Sequence, residues 1–89
     1  MPYESYEWDE DKRHSNLAKH RVDFEAIYRF DWNTAVRYYD DRHYEPRWKA
    51  IGFIGVVLHS VIYTERGNSV RIISIRKSSP TEIREYAQA

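Results

Sequence analysis

The stretch Ile62-Tyr63-Thr64-Glu65-Arg66-Gly67-Asn68-Ser69-Val70-Arg71-Ile72-Ile73-Ser74-Ile75-Arg76-Lys77 decides the fold. Two β-rich runs flank Gly67-Asn68, a dipeptide that suits a tight hairpin turn, so the stretch reads as two antiparallel strands. In the second run, strict alternation puts Val70, Ile72 and Ser74 on one face and Arg71, Ile73 and Ile75 on the other. Both faces carry β-branched side chains, the pattern of an interior strand covered on both sides. The same stretch is studded with cations: Arg66, Arg71, Arg76 and Lys77 follow Glu65 with no further acid among them. Cations mounted on the ends of a rigid strand suit the binding of an anion. The plainer reading is a set of solvated strand ends whose apolar stems snorkel over the sheet.

Upstream, residues 57–65 are the first strand of this hairpin and residues 47–53 are another, joined to it by a turn at Ile54-Gly55. Residues 34–39 read as a further strand, and Asp40-Asp41-Arg42-His43-Tyr44-Glu45-Pro46 as a polar loop. Residues 3–8 alternate with charge and suit a short edge strand. Asp9 caps a helix that runs to about His20, with acids at its positive end and Lys19 and His20 at its negative end. Asp23 caps a second helix through Phe24, Ile27 and Tyr28, with Val22 and Ile27 at the spacing of a hydrophobic staple. Ser79-Pro80-Thr81-Glu82 combines a Ser cap, a Pro at the first helical position and a Glu at the third, and predicts a short helix over Pro80–Gln88. The expected fold class is α+β: two N-terminal helices, an antiparallel β-sheet meander and a short C-terminal helix.

Eighty-nine residues suffice for one domain, 1–89, with a modest core that buries roughly 60–65 % of the unfolded surface. Eight Tyr and three Trp supply much of that burial. The formal net charge of zero argues against a uniformly positive coat for nucleic acid and leaves room for local patches. Such patches exist: acids crowd residues 4–11, and basic residues and histidines then run from Lys12 to Arg21 without an acid between them. With no Cys there is no disulfide and no thiolate chemistry. The start Met1-Pro2-Tyr3-Glu4 lacks a secretory pattern and no apolar run reaches membrane length, so a cytoplasmic soluble protein is expected.

With the elements placed, the sequence resembles the BrnT family of bacterial toxins, which share the RelE-like ribonuclease fold. The resemblance is carried by Tyr6-Glu7-Trp8-Asp9 with Lys12, Asn16-Leu17-Ala18-Lys19-His20 with Val22 and Phe24, and Glu45, Arg47 and Ala50-Ile51-Gly52. It continues through Tyr63-Thr64-Glu65-Arg66, Arg71-Ile72-Ile73-Ser74 with Arg76, and Glu85-Tyr86, and so covers nearly the whole chain in one register. Three positions depart from the family pattern. Arg21 stands where a Gly usually follows the Lys-His pair, Ile75 replaces a small residue before the last strand arginine, and Pro46 interrupts the Glu-Arg neighbourhood. The resemblance implies the toxin of a type II toxin–antitoxin system, an endoribonuclease neutralised by a BrnA-like antitoxin. It also implies that the complex contacts promoter DNA through the antitoxin.

RNA can be cut by its own 2′-hydroxyl attacking the adjacent phosphorus. The protein must then align the nucleophile, assist proton transfer and stabilise added negative charge, none of which requires a metal or other cofactor. Arg66 and Arg76 are the candidates to fork onto phosphate oxygens. Glu45 or His20 is the candidate base, and Tyr63 or His14 the candidate assistant. Lys19, Arg71, Lys77 and Arg47 are candidate RNA-binding cations. The ordinary alternatives are a helix-end role for His20, a surface ion pair for Glu45 with Arg47, and, for Arg76, a recognition or packing role whose loss lowers affinity or melting temperature and spares cutting; a catalytic Arg76 at a strand end is expected to be lost without harm to the fold. Asp40, Asp41 and His43 crowd one loop without the spacing of a metal cage and read as a solvated turn. Tyr38, Tyr39, Tyr44 and Trp48 can stack on bases or pack the rim of the core. A non-catalytic module of the same fold, binding RNA or a protein partner, is the reading of another class.

Overall fold

The computed structural model describes residues 3–89; Met1 and Pro2, part of the start read for a leader, lie outside the described residues. In order come strand β1 (Ser5–Glu7), helix α1 (Glu10–His20), a 3₁₀ helix (Phe24–Arg29), strands β2 (Val36–Asp40), β3 (Arg47–Ile54), β4 (Val57–Arg66) and β5 (Ser69–Lys77), and helix α2 (Pro80–Gln88). The five strands form one sheet in the order β1-β5-β4-β3-β2. The expected antiparallel meander is β2 to β5, but the whole sheet is mixed, because β1 pairs parallel with β5 at Ser5↔Ser69 and Glu7↔Arg71.

The caps behave as their chemistry dictates. The Asp9 carboxylate accepts from the Asp11 and Lys12 amides and starts α1. Ser79 Oγ accepts from the Glu82 amide while the Glu82 carboxylate accepts from the Ser79 amide, a complete capping box for α2. Asp23 also caps, but what it starts is a six-residue 3₁₀ helix, not the expected second α-helix. Tertiary burial wins over the helical period here: Phe24 and Ile27, spaced three apart as the 3₁₀ repeat requires, are both fully buried. Arg13 ties this segment to α1 through Asp23, with Nε to Oδ1 at 2.9 Å and Nη2 to Oδ2 at 3.1 Å.

The core lies on one face of the sheet, where Ala50, Val61, Tyr63, Val70, Ile72 and Ile75 meet Phe24, Ile27 and Phe30. Ile75 is on this face only because strict alternation fails. Ile62 pairs with Ser74 but Tyr63 pairs with Ile72, so Ile73 is an extra residue in β5. This bulge corrects the expected facing. Ile75 turns into the core, Ser74 and Arg76 turn to the opposite face beside Arg71, and Lys77 turns away from them.

Beyond Arg71 the outer edge of β5 has no strand partner, and α1 covers it. Asn16, the one buried residue of α1, donates from Nδ2 to the Ile75 carbonyl at 2.8 Å and to the Val22 carbonyl at 3.0 Å, and its Oδ1 accepts from the Ile75 amide at 3.3 Å. Its carboxamide therefore replaces a neighbouring strand and closes an edge that otherwise invites association. Helix α1 then ends at Arg21 with φ 61°, the left-handed conformation that a Gly adopts without strain.

Candidate functional site

Register fixes what each face carries. Opposite the core, β3 presents Arg47, Lys49 and Ile51, β4 presents Ser60, Ile62, Thr64 and Arg66, and β5 presents Arg71, Ser74 and Arg76. Helix α2 sits over one end of this face, where its Tyr86 ring meets Phe53 of β3 edge-on at 5.6 Å. The other end is open. There Lys12 of α1, Glu45 of the β2–β3 loop, Arg47, Thr64, Arg66 and Arg71 line a depression of about 320 Å³.

Within it the Arg66 guanidinium holds both Glu45 oxygens at 3.3 Å and stands 3.8 Å from Glu7, which Arg71 also approaches at 3.7 Å. Arg66 and Glu45 are each 49 % exposed, so this pairing contributes little to stability and leaves the guanidinium open to another anion. Lys12 and Arg47 have no ion pair among the described residues. Arg66 above all holds the Glu45 carboxyl below its usual range. Glu45 is therefore ionised at neutral pH and a weaker proton acceptor than a free carboxylate.

The remaining candidates lie elsewhere. His20 is half-buried at the end of α1, in a shallow strip that Lys12 and Lys19 share with Ile73 and Ser74 of β5. Burial first, then the charges of Lys19 and Arg76, lower its pKa, so its neutral form dominates at neutral pH. Arg76 is bound in bidentate fashion by Glu82 of α2 at 2.6 and 2.9 Å. Lys77, on the core side of the sheet, lines a separate groove with Arg21 and Arg29, away from Arg66 and Arg71. Tyr63 is fully buried, and its hydroxyl contacts Tyr3 at 3.1 Å and Arg37 at 3.4 Å on the core side. His14 is an exposed α1 residue 4.0 Å from Glu10. The structure thus brings together Arg66, Glu45, Arg71 and Arg47, sets His20 and Arg76 along the same face toward α2, and separates Lys77 and Tyr63 from both.

Lys12, Lys49, Glu7 and Thr64 belong to this face and escaped the sequence reading as site residues. Lys49 was within reach of it, since alternation from Arg47 puts the two on one side of β3. Of the aromatic residues, Tyr38 carries Lys49 over its ring at 5.6 Å and Tyr44 is fully exposed, whereas Tyr39 packs on Trp48 at 4.9 Å. The Asp40 carboxylate is engaged by Arg42 at 2.8 and 2.9 Å. Among the described residues no group of three His, Cys, Asp or Glu is arranged to hold a metal ion, and no helix is long and apolar enough to cross a membrane.

The α+β fold, a mixed five-stranded sheet with helices, matches a known class, the ribonuclease toxins. The family model described as ribonuclease toxin, BrnT, of type II toxin–antitoxin system matches residues 8–82. The chain belongs to this BrnT family. Among solved structures it is similar to the ribonuclease toxin BrnT of Brucella abortus, with 32 % identity and a TM-score of 0.68 over 84 % of this chain and 96 % of that one. The search of curated proteins gives no match.

Proposed function

We propose that the protein is a metal-independent endoribonuclease whose substrate RNA lies across the open basic face of the sheet. The observation that carries this reading is the convergence of Arg66, Arg71, Arg47 and Lys12, from three strands and a helix, on one depression. Arg66, held loosely by Glu45, exchanges that carboxylate for a phosphate and forks onto its oxygens as charge builds in the transition state. The 2′-oxygen attacks the adjacent phosphorus, the bond to the 5′-oxygen breaks, and the products carry a 2′,3′-cyclic phosphate and a 5′-hydroxyl. The proton of the 2′-hydroxyl passes to His20 or Glu45, and the departing 5′-oxygen takes up a proton from solvent water. Of the two acceptors, Glu45 lies beside Arg66 and is placed to take the 2′-hydroxyl proton, whereas His20, at the far end of α1, lies outside that depression and serves only a phosphate held toward Arg76. Arg71, Arg47, Lys12 and Lys19 bind flanking phosphates. Arg76 contributes once its own carboxylate partner yields.

On this reading the protein is a RelE-like toxin, its partner is a BrnA-like antitoxin that covers the basic face, and DNA is met only through that antitoxin. Incubation of purified protein with RNA tests the assignment. Cutting that persists in EDTA, leaves 5′-hydroxyl ends and falls by at least about 10²-fold in Arg66→Ala supports it. Cutting that EDTA abolishes and Mg²⁺ restores, or an Arg66→Ala enzyme as fast as wild type, refutes it. The non-catalytic reading is favoured by one observation, the engagement of Arg66 and Arg76 by carboxylates, and it predicts RNA binding without cutting.

A further inference from the structure

Helix α2 is docked in the opposite sense to an ordinary amphipathic helix. Its one buried side chain is the Glu82 carboxylate, while Ile83 beside it is 46 % exposed. What Glu82 docks on is a cradle of donors from adjacent strands. Arg76 of β5 presents Nη1 to Oε1 at 2.6 Å and Nη2 to Oε2 at 2.9 Å, and Lys49 of β3 reaches Oε2 at 3.2 Å. Ser60 of β4, fully buried, is the cross-strand partner of Arg76 and bonds Ser78 at 2.8 Å. A fork and an ammonium around two acceptor oxygens match the two non-bridging oxygens of a phosphodiester as well as they match a carboxylate.

The cradle also continues the open site. The bulge at Ile73 puts Arg76 on the face of Arg71, and alternation in β3 puts Lys49 beside Arg47. Five cations therefore follow one another across a single face, and Glu82 stops the last two. Four residues of strand lie between Arg71 and Arg76, a span of about 15 Å that is longer than one phosphate-to-phosphate step and so accommodates separate phosphates of one RNA strand. The helix holding Glu82 has nine residues, too few to be stable alone, and little apolar surface anchors it besides Tyr86 on Phe53.

We propose that Arg76 and Lys49 form a second phosphate subsite of the RNA-binding face, and that the Glu82 carboxylate of α2 occupies it until RNA displaces it. The inference rests on the reading of the open face as an RNA site. Helix α2 then acts as an internal anion, and RNA long enough to reach the cradle lifts it.

The test uses the full chain, wild type and Glu82→Gln, with a single-stranded RNA made uncleavable by 2′-O-methylation. Binding is followed by fluorescence anisotropy across a salt series. Glu82→Gln binds at least about threefold tighter at low salt, because RNA no longer has to displace a carboxylate from Arg76 and Lys49, and its log–log salt slope stays that of wild type, since the same cations meet phosphate in both complexes. Hydrogen exchange on wild type, which needs no folded variant, shows the amides of residues 81–88 exchanging faster when RNA is bound. A folded Glu82→Gln protein with unchanged affinity overturns the subsite. So do α2 amides that stay as protected with RNA as without it. If wild type binds RNA and Arg66→Ala does not, while Glu82→Gln is neutral, the open-face site stands and the subsite falls. If neither wild type nor Glu82→Gln binds, both fall together.

Discussion

Replacing Arg76 with Ala has a structural consequence that its place at a strand end conceals. The Glu82 side chain is 5 % exposed and accepts from Arg76 twice, from the Ser79 amide at 2.8 Å and from Lys49 at 3.2 Å. Removing the guanidinium leaves a buried carboxylate with two of its partners. Breaking a buried pair costs about 3–5 kcal/mol when nothing compensates. Here Lys49 remains and Arg76 is 31 % exposed, which lowers the expected loss to about 2–3 kcal/mol. For a chain of this size that is a fall in Tm of roughly 10–20 °C. Burial pushes the Glu82 pKa up, but Arg76, the Ser79 amide and the Ser60 hydroxyl overcome it and hold the carboxyl far below its usual range. A folded-state pKa below the unfolded one adds stability that is complete above about pH 4.5 and is lost as pH falls toward the folded value. Thermal melts from pH 7 to pH 3 therefore show a steep acid decline in wild type and a shallower one in Arg76→Ala. The double variant Arg76→Ala, Glu82→Gln regains part of the loss, since no charge is left buried. A single variant melting within about 2 °C of wild type at pH 7, with the same acid slope, refutes the argument. Loss of RNA cutting by Arg76→Ala counts as chemistry only below its melting temperature and at saturating RNA.

Three further outcomes are expected. Asn16→Ala strips the edge of β5 of the carboxamide that pairs Ile75 and lowers stability by about 2–3 kcal/mol, read as a shift in denaturant midpoint at unchanged slope. Arg21→Gly relieves a left-handed residue at the end of α1 and raises stability by about 0.5–1 kcal/mol, so a melting temperature at or below that of wild type counts against strain there. Ser79→Ala removes the Oγ that accepts from the Glu82 amide and costs about 1 kcal/mol, with faster hydrogen exchange in the first turn of α2.

Much of this protein was legible in its residues because the signals are local. Asp9, Asp23 and the Ser79-Pro80-Thr81-Glu82 box act within four residues of themselves, and the Gly67-Asn68 turn joins Arg66 directly to Ser69. The strands β2 to β5 follow from alternation and turn chemistry alone. The cations of the open face were legible as residue types, and Arg66, Arg71, Arg47 and Glu45 do converge.

Tertiary structure decided the rest. Whether Asp23 begins an α-helix or a 3₁₀ helix depended on how Phe24 and Ile27 reach the sheet, since a cap is compatible with both. The facing of residues 74–77 depended on a bulge at Ile73, and one extra residue inverts every side chain after it. That inversion buries Ile75, sends Lys77 away from the open face and brings Arg76 onto it. Glu82, six residues beyond Arg76, is read along the chain as a helix-capping acid and is one. That the same carboxylate also binds Arg76 and Lys49 follows only from α2 folding back over the sheet, because an ion pair is set by distance in space, which chain order does not record.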